Sequence, residues 1–300
     1  MSDAAIAAEL LAIDPAGLGG MIVRGDGAAL VARLGDLMPL RRCPAHIDHE
    51  RLHGGLDLTA TLAAGRPVMQ PGLLEDARGG AVVVPMAERV APDVAGALAA
   101  ALDAGDVAAV LLDSGTEDEA LSEALVERVA FIVDAEMVLE AEANRNTNGS
   151  PLARQAQDCR VAAIQMQALV QTAAALGIAS IRAPLFAVRA AKAAARREGR
   201  DIVSDDDIAL AVRLVLVPRA TRWPETAETE APPTDTPEPS EGRGEATGPL
   251  ADVVLEAVRA VLPADAIAAI VARNQKARPQ GRGKGARRRA RHRGRPVGAR

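Results

Sequence analysis

At 300 residues, with 49% hydrophobic and 25% charged side chains, the chain is long enough to bury one or two ordinary cores. Aromatic residues make up 1% (Phe131, Phe186 and Trp223, with no Tyr), so those cores must be packed from Ala, Leu, Val and Ile, a mixture that favours helices. The net charge of −5 conceals a polarity: residues 272–300 carry 12 Lys or Arg and no acid, leaving 23 basic against 40 acidic residues in 1–271.

The N-terminal stretch has acidic Asp3, Glu9 and Asp14 where a secretory leader would be basic, and no run approaches the roughly 18 apolar residues of a membrane span. The expectation is a cytoplasmic protein with no membrane span. Cys43 and Cys159 are too few for a disulfide framework and suit a reducing compartment.

The apolar run Met21–Gly25 leads through Asp26 and Gly27 into a helical pattern, Ala28–Leu37, with Leu30, Val31, Leu34 and Leu37 on one face. Ala81–Val84 reads as a second buried strand, Pro92–Ala104 as a helix opened by proline, Val107–Leu112 as a third strand, and 113–119 as a polar loop. Ala120–Glu127 is again helical and Val129–Val133 a fourth strand. Short apolar strands alternating with helices predict an α/β domain over 1–145, its parallel sheet covered on both faces. Strand signals then stop. Leu152–Ala175, Ala183–Glu198 and Ser204–Leu216 carry helical periodicity, the last opened by a capping box of Ser204 and Asp207, so 146–222 reads as an all-helical lid.

Residues 223–249 hold six prolines and seven acids, a composition that cannot repay the entropy of ordering, and read as a linker. Residues 250–271 form an amphipathic helix, or a pair broken at Pro263, and 272–300 a basic segment predicted to be disordered.

A strand, a glycine-containing turn and a helix near the start of an α/β protein is where a phosphate-binding loop belongs. Here the turn Gly25, Asp26, Gly27, Ala28, Ala29 has no Lys, Ser or Thr, and the first lysine of the chain is Lys192. The second strand runs on into Pro85 and Met86, where a magnesium-holding strand would end in carboxylates; neither residue offers the hard oxygens that Mg²⁺ requires, and Glu88 comes only after Ala87. Both halves of an ATP-hydrolysing site are missing together.

Cys43, His46, His49 and His53 lie close in sequence, but their spacing is not a standard zinc pattern, and Asp48 and Glu50 are alternative partners for the imidazoles. No metal site is assigned to them. The arginine-rich tail would neutralise phosphates, yet it has no aromatic residue for base stacking, so a nucleic-acid-binding role is a secondary reading.

Taken in order over residues 10–222, these segments resemble the AAA+ subunits of magnesium chelatase, and the D subunit in particular. The stretch His46–Val90 is similar to that family's insert, its PGLL turn and its second strand, with Pro85 and Met86 in the place of the ATPase (I) subunit's carboxylate pair. Asp113–Asp134 resembles the strand-end loop and arginine-finger helix, which puts Arg128 at the finger position; residues 180–222 resemble the lid, with Arg182 at the second sensor position. Read without the resemblance, Arg128 is a helix-end arginine for Glu127 or Glu123, and Arg182 a structural arginine at helix ends.

The resemblance implies a P-loop-type AAA+ sheet with a helical lid. It implies a subunit that holds no nucleotide tightly and hydrolyses none, with ATP and Mg²⁺ held by the partner I subunit and Arg128 acting on the neighbour in trans. It implies a hetero-oligomeric ring that also engages a porphyrin-binding H subunit, inserting Mg²⁺ into protoporphyrin IX for chlorophyll or bacteriochlorophyll. An integrin-like metal-binding domain would follow in the family; the chain stops at Arg300, so any metal site of that domain is expected outside it. A cobaltochelatase subunit or a MoxR-like AAA+ adaptor is the alternative.

Overall fold

The computed structural model describes residues 2–115, 119–135, 159–224, 249–261 and 264–277. Its centre is a five-stranded sheet in the order β2–β5–β6–β1–β7, built from β1 (Gly20–Arg24), β2 (Leu40–Arg42), β5 (Ala81–Val84), β6 (Ala108–Asp113) and β7 (Phe131–Asp134), every pair parallel. The central strands β1, β5 and β6 are largely buried on both faces, which is why they read as unbroken apolar runs rather than alternations. Successive residues still divide between two cores: Met21 and Val23 face one, Ile22 the other, and Val83 and Val82 divide in the same way.

The first core lies under α1 (Asp3–Ile13), α3 (Ala28–Leu37) and the lid; the second lies under α7 (Pro92–Ala104). Helix α1 is apolar apart from Asp3 and Glu9 and is buried along almost its full length, with Ser2 capping it by accepting from the Ala5 amide at 3.3 Å. The short α2 (Pro15–Leu18) turns the chain into β1. Gly19, the left-handed cap of that turn (φ 67°), allows the close approach: a Cβ there would stand 2.1 Å from the carbonyl oxygen of Arg128. Gly19→Ala is therefore expected to destabilise the chain by about 1–3 kcal/mol, read from denaturant unfolding.

Between β2 and β5 the chain forms α4 (His49–His53), a separate antiparallel hairpin of β3 (Gly54–Leu56) and β4 (Met69–Pro71) enclosing α5 (Leu58–Ala64), and then α6 (Leu73–Asp76). Helix α5 buries none of its residues. Helix α8 is shorter than its sequence pattern suggests, Glu123–Val126 instead of Ala120–Glu127, because Ser122 has an extended ψ of 123° and delays the first helical turn.

The lid comprises α9 (Ala163–Ala175), α10 (Arg182–Arg197) and α11 (Asp205–Ala211), continued by a π-helical turn, Val212–Leu216. Helix α9 starts later than the predicted Leu152: residue 160 bridges to Ile202, which keeps the chain extended up to the cap at Ala162, and 152–158 lie outside the described residues. The capping box of α11 is present, with the Ser204 hydroxyl accepting from the Asp207 amide (3.3 Å) and the Asp207 carboxylate accepting from the Ser204 amide (2.8 Å). Residues 225–248 of the Pro-rich stretch lie outside the described residues. Beyond it α12 (Pro249–Val261) and α13 (Ala264–Ala277) form a helix pair, the second running six residues past Val271. Asn274 of α13 donates to the carbonyls of Pro218 and Ala220 at the root of the lid. Among the described residues no helix is long and apolar enough to cross a membrane.

Candidate functional site

Parallel strands give the sheet two chemically different ends, and the predicted site residues divide between them. At the C-terminal end the turn from β1 to α3 is only Gly25–Gly27. Gly25 has φ 83°, Gly27 caps the helix without a side chain, and Ala28 and Ala29 are its first residues. The Asp26 carboxylate accepts from the Ala28 amide at 3.1 Å, so the positive head of α3 is already engaged by the chain's own anion. A Cβ on Gly27 would stand 3.0 Å from both Leu112 and Val23, leaving little space behind the turn. The turn Gly25–Ala29 therefore offers backbone amides, one of them taken by the Asp26 carboxylate, and no lysine or hydroxyl side chain of its own.

Pro85 and Met86 follow β5 directly, with Met86 at φ 49° and its side chain exposed. That left-handed residue folds the chain back, so Glu88, two residues on, is buried at the end of β6, where it accepts from the Ser114 amide at 3.3 Å. Arg89 and Arg24 lie 3.8 Å from Glu88 and Asp113 respectively, so these two carboxylates each have an arginine beside them. Sequence reasoning set Glu88 aside as coming too late after β5, because the left-handed turn at Met86 that brings it back has no sequence signal.

The four residues weighed as metal ligands do not converge. Cys43 is buried, and burial pushes its thiol up to about 11. His49 bonds Asp93 at 3.1 Å and stacks on His53, and the Asp93 carboxyl is held below its usual range first by the Val94 amide and then by His49. Among the described residues no three His, Cys, Asp or Glu side chains are grouped to hold a metal.

The N-terminal end of the sheet is different. Arg128 follows α8 and Arg182 opens α10 of the lid, and the two meet on one carboxylate, Asp103 in the last turn of α7. Arg128 donates to Asp103 Oδ2 from Nε (2.8 Å) and Nη2 (2.6 Å) and to the Ala124 carbonyl from Nη1 (2.8 Å); Arg182 donates to Asp103 Oδ1 from Nη1 (2.9 Å). Neither Glu127 nor Glu123 is the partner of Arg128, contrary to the local reading, because Glu127 accepts from the Ser180 hydroxyl at 2.5 Å. Arg189, one heptad after Arg182 and so on the same helix face, donates to the Gly17 carbonyl. These groups line an open pocket of about 410 Å³ in which three arginines face one carboxylate. The guanidinium of Arg128 chiefly, and that of Arg182, holds the Asp103 carboxyl below its ordinary value of 3.8. A depressed folded pKa means this pairing contributes fully above the unfolded value and is lost as pH falls through the folded one, so it is intact at neutral pH.

Sequence reasoning singled out Arg128 and Arg182, which the structure brings together on Asp103, and did not name Asp103 or Arg189. An acid in the last turn of a helix opposes the helix dipole and is the one local signal that Asp103 gives.

A parallel sheet with β1 between β6 and β7, its helix-forming turn at one end and a helical lid after it, defines an AAA+ module. The AAA lid domain family matches residues 166–240. The fold is similar to a crystal structure of a full-length MCM homolog from Methanopyrus kandleri (TM-score 0.53, 14% identity, 69% of this chain and 52% of that one). It is equally similar to a candidate ATPase from Cytophaga hutchinsonii (TM-score 0.53, 17% identity, 69% and 79%).

In sequence the chain is similar to the magnesium-chelatase 60 kDa subunit of Cereibacter sphaeroides, at 40% identity over 315 aligned residues, covering 97% of this chain and 55% of the relative. The magnesium-chelatase 60 kDa subunit of Rhodobacter capsulatus is 35% identical (70% and 39% covered), and the 67 kDa subunit of Chlorobaculum parvum 32% (74% and 43%). The chain spans about half the length, or less, of these curated relatives.

Proposed function

We propose that the chain is the AAA+ portion of a magnesium chelatase D subunit, which hydrolyses no ATP itself and completes the ATP site of a neighbouring I subunit in a hetero-oligomeric ring. The assembly couples that hydrolysis to insertion of Mg²⁺ into protoporphyrin IX on an H subunit. The likeness to magnesium-chelatase subunits supports the complex. One observation supports the division of labour: Arg128 and Arg182 project together at the end of the sheet away from the chain's own β1–α3 turn. Strand β1 spans about 13 Å at 3.3 Å per residue, and two guanidinium groups at its start cannot serve a phosphate bound at its end. In this reading the anion that meets both is a neighbouring protomer's triphosphate.

Arg128 is suited to that task. Three of its guanidinium N–H groups are committed to Asp103 and Ala124, which fixes the plane, and two remain to face an incoming oxyanion. ATP and Mg²⁺ belong to the partner, consistent with Asp26 at the head of α3 and with Pro85 and Met86 where a carboxylate pair would hold the metal.

The test is ATP turnover by the chain alone, by the I subunit alone, and by the mixture. The expected outcome is no turnover by the chain and an increase in the mixture over the I subunit alone. Sustained hydrolysis by the isolated chain, or no increment on mixing, would remove the proposal.

A further inference from the structure

We infer that Asp103 is a positioning residue for the composite site: its single carboxylate holds the two arginines, one from the α/β body and one from the lid, at a fixed spacing and orientation toward a neighbouring protomer's phosphates. This rests on the proposed action of Arg128 in trans.

Two guanidinium groups brought to one spot repel each other. Without a counter-charge, Arg128 and Arg182 would swing apart into solvent, where each side chain recovers rotamer freedom. Asp103 prevents this by dividing its oxygens: Oδ2 takes both N–H groups from the Nε/Nη2 edge of Arg128, and Oδ1 takes one from Arg182. It lies in the last turn of the 13-residue α7, whose end is closed by Gly105 in the left-handed conformation. The carboxylate is half-exposed and reachable from the pocket. Charge accounting favours the same role: three arginines and one carboxylate in the pocket lining leave two positive charges in excess, so Asp103 organises the cations without cancelling the attraction for a polyanion. Arg182 opens the lid helix, so the clamp also sets the lid against the body where the partner would dock.

The experiment compares Asp103→Asn and Asp103→Glu with Arg128→Ala in the chain mixed with the I subunit, reading the ATPase increment over the I subunit alone as a function of added chain. Asp103→Asn preserves shape and removes the charge. It is expected to lower the maximal increment about 10- to 100-fold, the order of loss that follows from displacing a catalytic group by about 1 Å. The chain concentration at half-maximal effect, the KM for ATP and the melting temperature should stay near their parent values. Asp103→Glu should recover part of the increment, since it restores the counter-charge.

A full increment with Asp103→Asn while Arg128→Ala abolishes it would overturn the positioning role and leave the trans role standing. A loss that disappears at saturating chain would show that Asp103 serves only association or stability, and would overturn it as well. An unchanged increment with Arg128→Ala would sink the trans reading and this inference together.

Discussion

Arg128→Ala is expected to abolish the ATPase increment that the chain contributes on mixing with the I subunit, while leaving the I subunit's own turnover untouched. An arginine supplied across an interface to a transferring phosphoryl group is worth about 10³ to 10⁵ in kcat, so the composite sites should fall by at least about 10³, or about 4 kcal/mol of barrier. Truncation removes the two N–H groups left facing the pocket and also leaves Asp103 paired to Arg182 alone. Arg128→Lys should recover little, because an ammonium cannot at once hold the Asp103 oxygen, bond the Ala124 carbonyl and present two further donors in one plane. The measurement is steady-state phosphate release at saturating ATP with increasing chain. An increment that persists in Arg128→Ala would place the contribution of this chain elsewhere, in assembly alone.

Much of the scaffold was legible in the sequence. Buried parallel strands have no polar face, so Ala81–Val84 announces itself as an apolar run, and Pro92 and Gly105 bound α7 with their own backbone chemistry. What escaped had no local signature. Strand β2 is three residues, Leu40–Arg42, with both arginines exposed, and only its pairing with β5 makes it a strand. Helix α1 is so uniformly apolar that it lacks the one-sided periodicity that marks a surface helix, because it is enclosed between the sheet, α3 and the lid. At the site, the absence of a lysine and of a carboxylate pair could be read directly; Asp103 could not, because its partners lie 25 and 79 residues away in sequence and meet it only when the lid folds onto the body.

That same docking rests on a second shared carboxylate, and Glu9→Ala is expected to be the most destabilising single substitution in the α/β body. Glu9 is buried on α1, with Oε1 bonded to Arg33 of α3 at 2.6 Å and Oε2 bonded to Arg197 in the last turn of α10 at 2.7 Å. One side chain therefore joins the N-terminal helix, the helix after the β1 turn and the lid. Removing it takes from two largely buried guanidinium groups the carboxylate they share, and breaking a buried pair typically costs about 3–5 kcal/mol. At about 2–4 °C per kcal/mol for a body of this size the melting temperature should drop by about 10 °C. Glu9→Gln should fall between, since the amide keeps one acceptor but turns its donors toward a cation. The decisive control is Glu9→Leu with Arg33→Met and Arg197→Met, which removes these three charges together and should regain most of the loss. If the triple variant stays as unstable as Glu9→Ala, the cost lies in lost packing of α1 and not in stranded charge.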